Sequence, residues 1–206
     1  MSAGYELVPL DCPSCGAAVK ADGEDVVYYC TACRNGYRFD AKAKKLASME
    51  VAFVALSNVA VELYRPFWLL PATITMHQRD ATGGGFRGLM NFFLGAGDDT
   101  SSGGRGTFAV PAFHAPLPAV STLVRRYTEK LPELGEKLGE RLLGGCYGVR
   151  DAKKLAHYAL IASEVEKPDT LKQLRYEIKF GKPRLLGVPF VRRDGKVVDA
   201  IFGIES

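Results

Sequence analysis

Cys12-Pro-Ser-Cys15-Gly16 and, after 14 intervening residues, Cys30-Thr-Ala-Cys33 make a C-x2-C-x14-C-x2-C pattern. A tetrahedral zinc ion takes four soft ligands, and two C-x2-C turns each present two thiolates from one tight loop. Gly16 suits the turn after the second cysteine, where a positive φ costs a residue without Cβ nothing. Val26-Val-Tyr-Tyr29 leads into the second pair and Tyr37-Arg-Phe39 leads out of it, both reading as short strands. Neither pair stands between a strand and a helix, as a thioredoxin-like redox pair would. Ligand type alone leaves iron or a cluster open beside zinc. No histidine or carboxylate is spaced to leave an open coordination position, so the expected role is structural. The metal takes the place of a core that so short a segment cannot build.

Over residues 11–40 the chain resembles the zinc ribbon, in which two knuckles sit at the tips of hairpins with aromatic strands between them. The resemblance implies one structural Zn²⁺ held by Cys12, Cys15, Cys30 and Cys33. The second knuckle departs from the pattern: Arg34 stands where many ribbons carry glycine, and Gly36 follows two residues later. Zinc ribbons occur in transcription and replication factors, in ribosomal proteins and as additions to enzymes, so function is not implied. Charge narrows the choice. Lys20, Arg34 and Arg38 face Asp22, Glu24, Asp25 and Asp40, and four thiolates on Zn²⁺ add further negative charge. A segment that gripped phosphates would need the opposite sign.

The whole chain has 206 residues, 47% apolar and 24% charged, which fits a globular domain with a small appendage and excludes wholesale disorder or a collagen-like chain. A net charge of +4 is too mild to imply a partner. Met1–Leu10 has neither the basic nor the apolar region of a secretory signal, and charges and prolines interrupt the apolar stretch Val51–Met76. A cytoplasmic protein without a transmembrane segment is expected, where close cysteines mean metal and not disulfides. The organisation expected is a ribbon and linker over residues 1–45, with Ala41–Leu46 exposed, then an α+β domain over residues 46–206.

In that domain Val51–Leu63 reads as two strands broken near Ser57-Asn58, and Thr73–His77 as another. Pro66 and Pro71 mark an edge or a bulge, since proline has no N–H for the ladder, and Trp68 reads as core. Leu63–Leu70, Phe108–Phe113 and Leu186–Phe190 share an apolar-proline flavour that suggests equivalent edges. The stretch 81–106 is a glycine-rich loop; its Gly83–Gly88 matches G-x-G-x-x-G without the strand, helix and acidic residue that a dinucleotide site requires. Between its glycines lies the apolar plug Leu89-Met90-Asn91-Phe92-Phe93-Leu94. Exposed on glycine tethers, it would dock a partner; folded back, it would close its own domain. A helical period starts at Leu117, running through Val120, Leu123, Val124, Tyr127 and Leu131. A weaker helix opens at Pro132, and a third is capped by Asp151 with Leu155, Tyr158, Ala159, Ala162 and Val165 on one face. Leu174, Tyr176, Ile178 and Phe180 alternate as a half-buried strand, and Asp194-Gly195 signals a two-residue hairpin within a final three-stranded meander. Runs of strands followed by runs of helices argue for an α+β fold, an antiparallel sheet with two to three helices.

No active site is legible. His77, His114 and His157 lie on different elements, and Cys146, the one cysteine outside the metal pattern, pairs with His114 only as a formal nucleophile and base. The reading is a zinc-binding, non-enzymatic module that docks another protein through Leu89, Met90, Phe92, Phe93 and Leu94. A nucleic-acid-binding protein is the alternative, since residues 116–206 carry a net +5 with Arg125, Arg126, Arg192 and Arg193 as paired sites. An unrecognised enzyme with an accessory ribbon comes third.

Overall fold

Strands β1 (Val27–Tyr29), β2 (Gly36–Asp40) and β3 (Lys45–Met49) form an antiparallel sheet in that order, wrapped by the two cysteine turns. The computed structural model describes residues 10–40, 42–56, 60–81, 89–94, 103–135, 141–164 and 171–205. Cys12, Val19, Tyr28, Cys30, Tyr37 and Leu46 make the small core of this first sheet. The linker reading is corrected at Lys45 and Leu46: they pair with Asp40 and Phe39, and Leu46 is buried. Basic neighbours and a single buried position gave that strand the look of a solvated hinge.

The larger sheet has seven strands in the order β6-β5-β9-β4-β7, with β8 beside β5 and β10 beside β9. They are β4 (Val51–Val54), β5 (Leu63–Ala81), β6 (Gly103–Pro111), β7 (Leu134–Gly135), β8 (Leu171–Phe180), β9 (Arg184–Arg193) and β10 (Lys196–Asp199). Its pairs are antiparallel except β4 with β9. Three helices complete the described elements: α1 (Leu89–Leu94), α2 (Leu117–Glu129) and α3 (Val149–Glu164). The fold is α+β, as the order of elements implied, and no helix among the described residues is long and apolar enough to cross a membrane.

The 19-residue β5 is central, not an edge. Tyr64, Trp68, Leu70 and Ile74 pack into one core and Phe67 and Leu69 into the other, all fully buried. A strand covered on both faces reads as an unbroken apolar run, which hides its period of two. The break expected near Ser57-Asn58 lies outside the described residues.

The prolines sit at seams where a strand changes neighbours. On one side of β5 the partner is β9 up to Leu69 and β8 from Ala72, and Pro71 falls between them. On the other side β6 begins at Phe67 and Leu142 bridges Tyr64, with Pro66 between. On β9, the partner is β4 up to Gly187 and β10 from Phe190, with Pro189 between. At each seam the carbonyl still works: Pro66, Pro71 and Pro189 accept from Ala112, Gly181 and Ala200 at 2.9, 2.7 and 2.9 Å. The Ala112 carbonyl accepts a hydrogen bond from Tyr147 N–H at 3.0 Å. The edge expectation is therefore corrected for Leu63–Leu70 and Leu186–Phe190, which lie in the interior strands β5 and β9, whereas Phe108–Phe113 lies along β6, which ends the strand order beside β5. The expected meander is corrected in the same way, because β8 and β9 lie end to end along β5 and do not pair with each other.

α2 buries Val120, Leu123, Val124, Tyr127 and Thr128, close to the expected face. α3 turns a narrower face inward, Ala152, Ala156, Ala159, Leu160 and Ser163, leaving Tyr158 exposed. Its alanines bring the helix close to the sheet, and Asp151 lies in its first turn. The helix expected from Pro132 is replaced at Leu134–Gly135 by β7, paired with Val54 and Phe53 of β4. A Cβ at Gly135 would lie 2.9 Å from the Cβ of Ala55, so glycine there permits the strand contact. The Asp194-Gly195 hairpin is present, both residues at positive φ.

Candidate metal centre

Each C-x2-C turn is closed by the same pair of backbone bonds. Gly16 N–H donates to the Cys12 carbonyl and Cys12 N–H to Ala17, both at 2.8 Å. In the second turn Arg34 N–H donates to Cys30 at 2.8 Å, and Cys30 N–H to Asn35 at 2.9 Å. Gly16 (φ 71°) and Arg34 (φ 60°) occupy the same left-handed position, so the second knuckle keeps its shape although arginine fills the glycine site.

The turns interleave their sulfurs. Cys12 Sγ lies 3.4 Å from Cys33 Sγ and Cys15 Sγ 3.6 Å from Cys30 Sγ. All four lie within 4.8 Å of one another, the one such group of three or more ligands among the described residues. Metal–sulfur bonds of about 2.3 Å set tetrahedral sulfur–sulfur edges of about 3.8 Å, so the donor set fits a four-coordinate metal ion. Each close pair draws one cysteine from each turn, and neither turn holds the site alone.

Tyr37, fully buried on β2, supports the ligands, a role not read from the sequence. Its hydroxyl donates to Ser14 Oγ at 2.8 Å and lies 3.1 Å from Cys12 Sγ. Burial opposes ionisation of Cys12, but Tyr37 and the backbone around Ser14 stabilise its thiolate, and its pKa falls to about 6. Cys15 goes the other way: the Ala17 backbone favours its thiolate, yet crowding by Cys12, burial, and Cys30 and Cys33 push it up to about 12. Four sulfurs this close ionise together only when a cation shares their charge.

The other expected residues are placed as follows. Leu89 and Phe93 of the apolar plug are buried, Phe93 with its ring 4.6 Å from that of Phe108. Leu89 N–H donates to Ser163 Oγ of α3 at 3.3 Å. The docking expectation is corrected for these two residues, which fold back onto their own domain; Phe92 is exposed, and the side chains of Met90 and Leu94 lie outside those described. Gly106 makes the seat, since a Cβ there would meet the Phe93 ring at 2.6 Å. The Gly83–Gly88 motif lies outside the described residues. Arg125 is half-buried and Arg126 exposed on α2, while Arg192 is held by both carboxylate oxygens of Glu62 at 2.7 and 3.2 Å and Arg193 is exposed.

Cys146 lies near the His114 backbone, but the imidazole faces elsewhere: Nδ1 is 2.9 Å from the Tyr147 hydroxyl and Nε2 3.3 Å from Glu24. Burial pushes the Cys146 thiol up, against the direction that activates a nucleophile.

In comparisons with family models, curated proteins and solved structures, none matches this chain.

Proposed function

We propose that the metal is zinc and that the protein is a zinc-stapled, non-catalytic module that works by binding another protein. The observation that carries this reading is the closed donor set of Cys12, Cys15, Cys30 and Cys33, which leaves no ligand position for water or substrate. The site also braces more than the ribbon. Val27 and Tyr29 of β1 belong to the core of the larger domain, where the Tyr29 ring meets that of Phe53 at 5.8 Å. Val27 and Gly145 exchange backbone hydrogen bonds at 3.0 Å. A metal that fixes the cysteine turns therefore fixes the joint between the two sheets, giving a rigid body for recognition. The acidic ribbon and the Glu62-bound Arg192 favour a protein over a nucleic acid.

Metal analysis and native mass spectrometry of the protein isolated from its own cells test the reading together. One zinc per chain and a stoichiometric protein partner are expected. Iron, or no metal, would overturn the assignment of the ion. Extra mass removed by nuclease would replace the protein partner with nucleic acid. Cys12→Ser should release the zinc and lower the stability of the whole chain, not of the ribbon alone.

A further inference from the structure

A cleft of about 540 Å³ opens where the ribbon meets the first turn of α3. Its volume is that of a small-molecule site. Val26 and Phe39 of the ribbon and Val149 of α3 give it apolar sides, and Trp68 forms part of its lining. Arg38 from β2 and Arg150 and Lys153 from α3 also line it. Among the described residues none of these three cations is in a close ion pair, although Arg38 acts on Asp40 at longer range, whereas Arg184 and Arg192 elsewhere are paired with Glu50 and Glu62. One carboxylate, Asp151, shares the lining; it lies in the first turn of α3, where it complements the helix dipole. Lys153 stands over the Phe180 ring, its Nζ 5.3 Å from the centroid, a cation–π contact that positions the ammonium without neutralising its charge.

Three like charges gathered around one concavity repel one another, and an anion placed among them relieves that repulsion. Guanidinium groups match phosphate oxygens in pairs, and the apolar sides suit the body of a ligand, not a bare ion. We propose that this cleft binds a small organic phosphate of nucleotide size, its phosphate held by Arg38, Arg150 and Lys153 and its body against Phe39 and Val26. The site rests on the metal-braced reading above, because Val26, Arg38 and Phe39 of its lining belong to the ribbon.

Trp68 is the single tryptophan of the chain and reports on the cleft by its own fluorescence. The full-length, zinc-loaded protein is titrated with AMP, ADP, inorganic phosphate and a single-stranded oligonucleotide, with calorimetry in parallel. Saturable binding of AMP or ADP is expected, weakened about tenfold or more by Arg150→Ala and by Arg38→Ala. Arg192→Ala should leave it unchanged, and inorganic phosphate should bind at least about tenfold more weakly. Absence of saturable binding at about 1 mM nucleotide would overturn the proposal, as would equal affinity in the Arg38→Ala/Arg150→Ala protein. Equal binding of inorganic phosphate would overturn the organic ligand. Binding by the oligonucleotide alone would overturn the small ligand in favour of nucleic acid. Lys153→Gln is a further test if an arginine variant fails to fold. Zinc content, read in every sample, separates the two failures: zinc retained without ligand binding sinks the cleft alone, and zinc absent from the wild-type protein sinks the metal reading.

Discussion

The hydroxyl of Tyr127, on α2, donates at 2.7 Å to Oδ1 of Asp199, the last residue of β10 and 72 positions away. Both side chains are fully buried. Asp199 also accepts from the N–H groups of Ile201 and Phe202 on Oδ1, at 3.1 and 2.7 Å, and of Ile204 on Oδ2, at 2.6 Å. A buried carboxylate is tolerated when donors replace its water, and here four do so. Burial and the neighbouring Asp199 carboxylate push the Tyr127 phenol well above the usual tyrosine range. The result fastens the C-terminal turn to α2, with the Phe202 ring 4.8 Å from that of Tyr127.

Replacing each partner in turn separates their contributions. Tyr127→Phe should cost about 1.5–3 kcal/mol, one hydrogen bond to a charged acceptor. Asp199→Ala strands several buried donors and should cost more, about 3–5 kcal/mol. Urea unfolding of both variants gives the comparison; equal losses would show that the backbone donors to Asp199 contribute nothing.

The left-handed arginine in the second knuckle is a site for improvement. Arg34→Gly removes about 1–2 kcal/mol of conformational strain and adds some unfolded-chain entropy. A net gain of about 0.5 kcal/mol is expected, visible as a higher melting temperature of the metal-loaded protein. Gly16→Ala, at the matching position, should lower it. A loss on Arg34→Gly would mean that the arginine side chain contributes more than its backbone costs.

At the seams, Pro71→Ala and Pro189→Ala should each change stability by less than about 1 kcal/mol, because alanine keeps each carbonyl's bond and its new N–H meets no ladder partner. Leu70→Pro, one residue from a seam but opposite Phe108 in β6, should cost about 3 kcal/mol or more. Denaturant midpoints of the three proteins decide it, and a large loss at Pro71 would contradict the seam account.

His157 on α3 is packed against Tyr176, whose hydroxyl lies 3.2 Å from Nδ1, and against the Phe180 ring. Burial holds its pKa below the ordinary 6.5. As pH falls through that value the unfolded chain takes up the proton first, so the unfolded state is favoured. This contribution to stability is full above pH 6.5 and is lost below it, until the folded form is protonated as well. His157→Gln should flatten the stability profile between about pH 7 and about pH 5, measured as urea midpoints across that range. An unaltered slope would place the pH dependence in other groups.

Where the sequence was misleading, the cause was a partner far along the chain. For Leu89 and Phe93 the flanking glycines allowed either an exposed plug or one folded back onto its own domain; Gly106 and Phe108 of β6 supply the seat that decides for folding back. Leu134-Gly135 read as helix because its leucine spacing is helical, but propensity with two nearby glycines is weak and the β4 edge outweighs it. Pro66 and Pro71 read as edge residues because a missing N–H forbids an interior ladder position, and a seam is the interior position where that rule is met.

By itself the sequence determined the four-cysteine cluster that can hold a metal ion, the knuckle turns, the Asp194-Gly195 hairpin and the buried face of α2. Each depends on contacts between residues close in the chain, whose chemistry and period are written locally. Only the tertiary structure decided that β5 is central, that Tyr37 backs Cys12, that Asp199 collects four donors, and that Arg38 meets Arg150 and Lys153 across one cleft. Those relationships join residues separated by tens of positions, and nothing local distinguishes a buried aspartate or an unpaired arginine from its solvated counterpart. Their surroundings are made by the packing of the sheets and helices, so their roles become visible only when those surfaces meet.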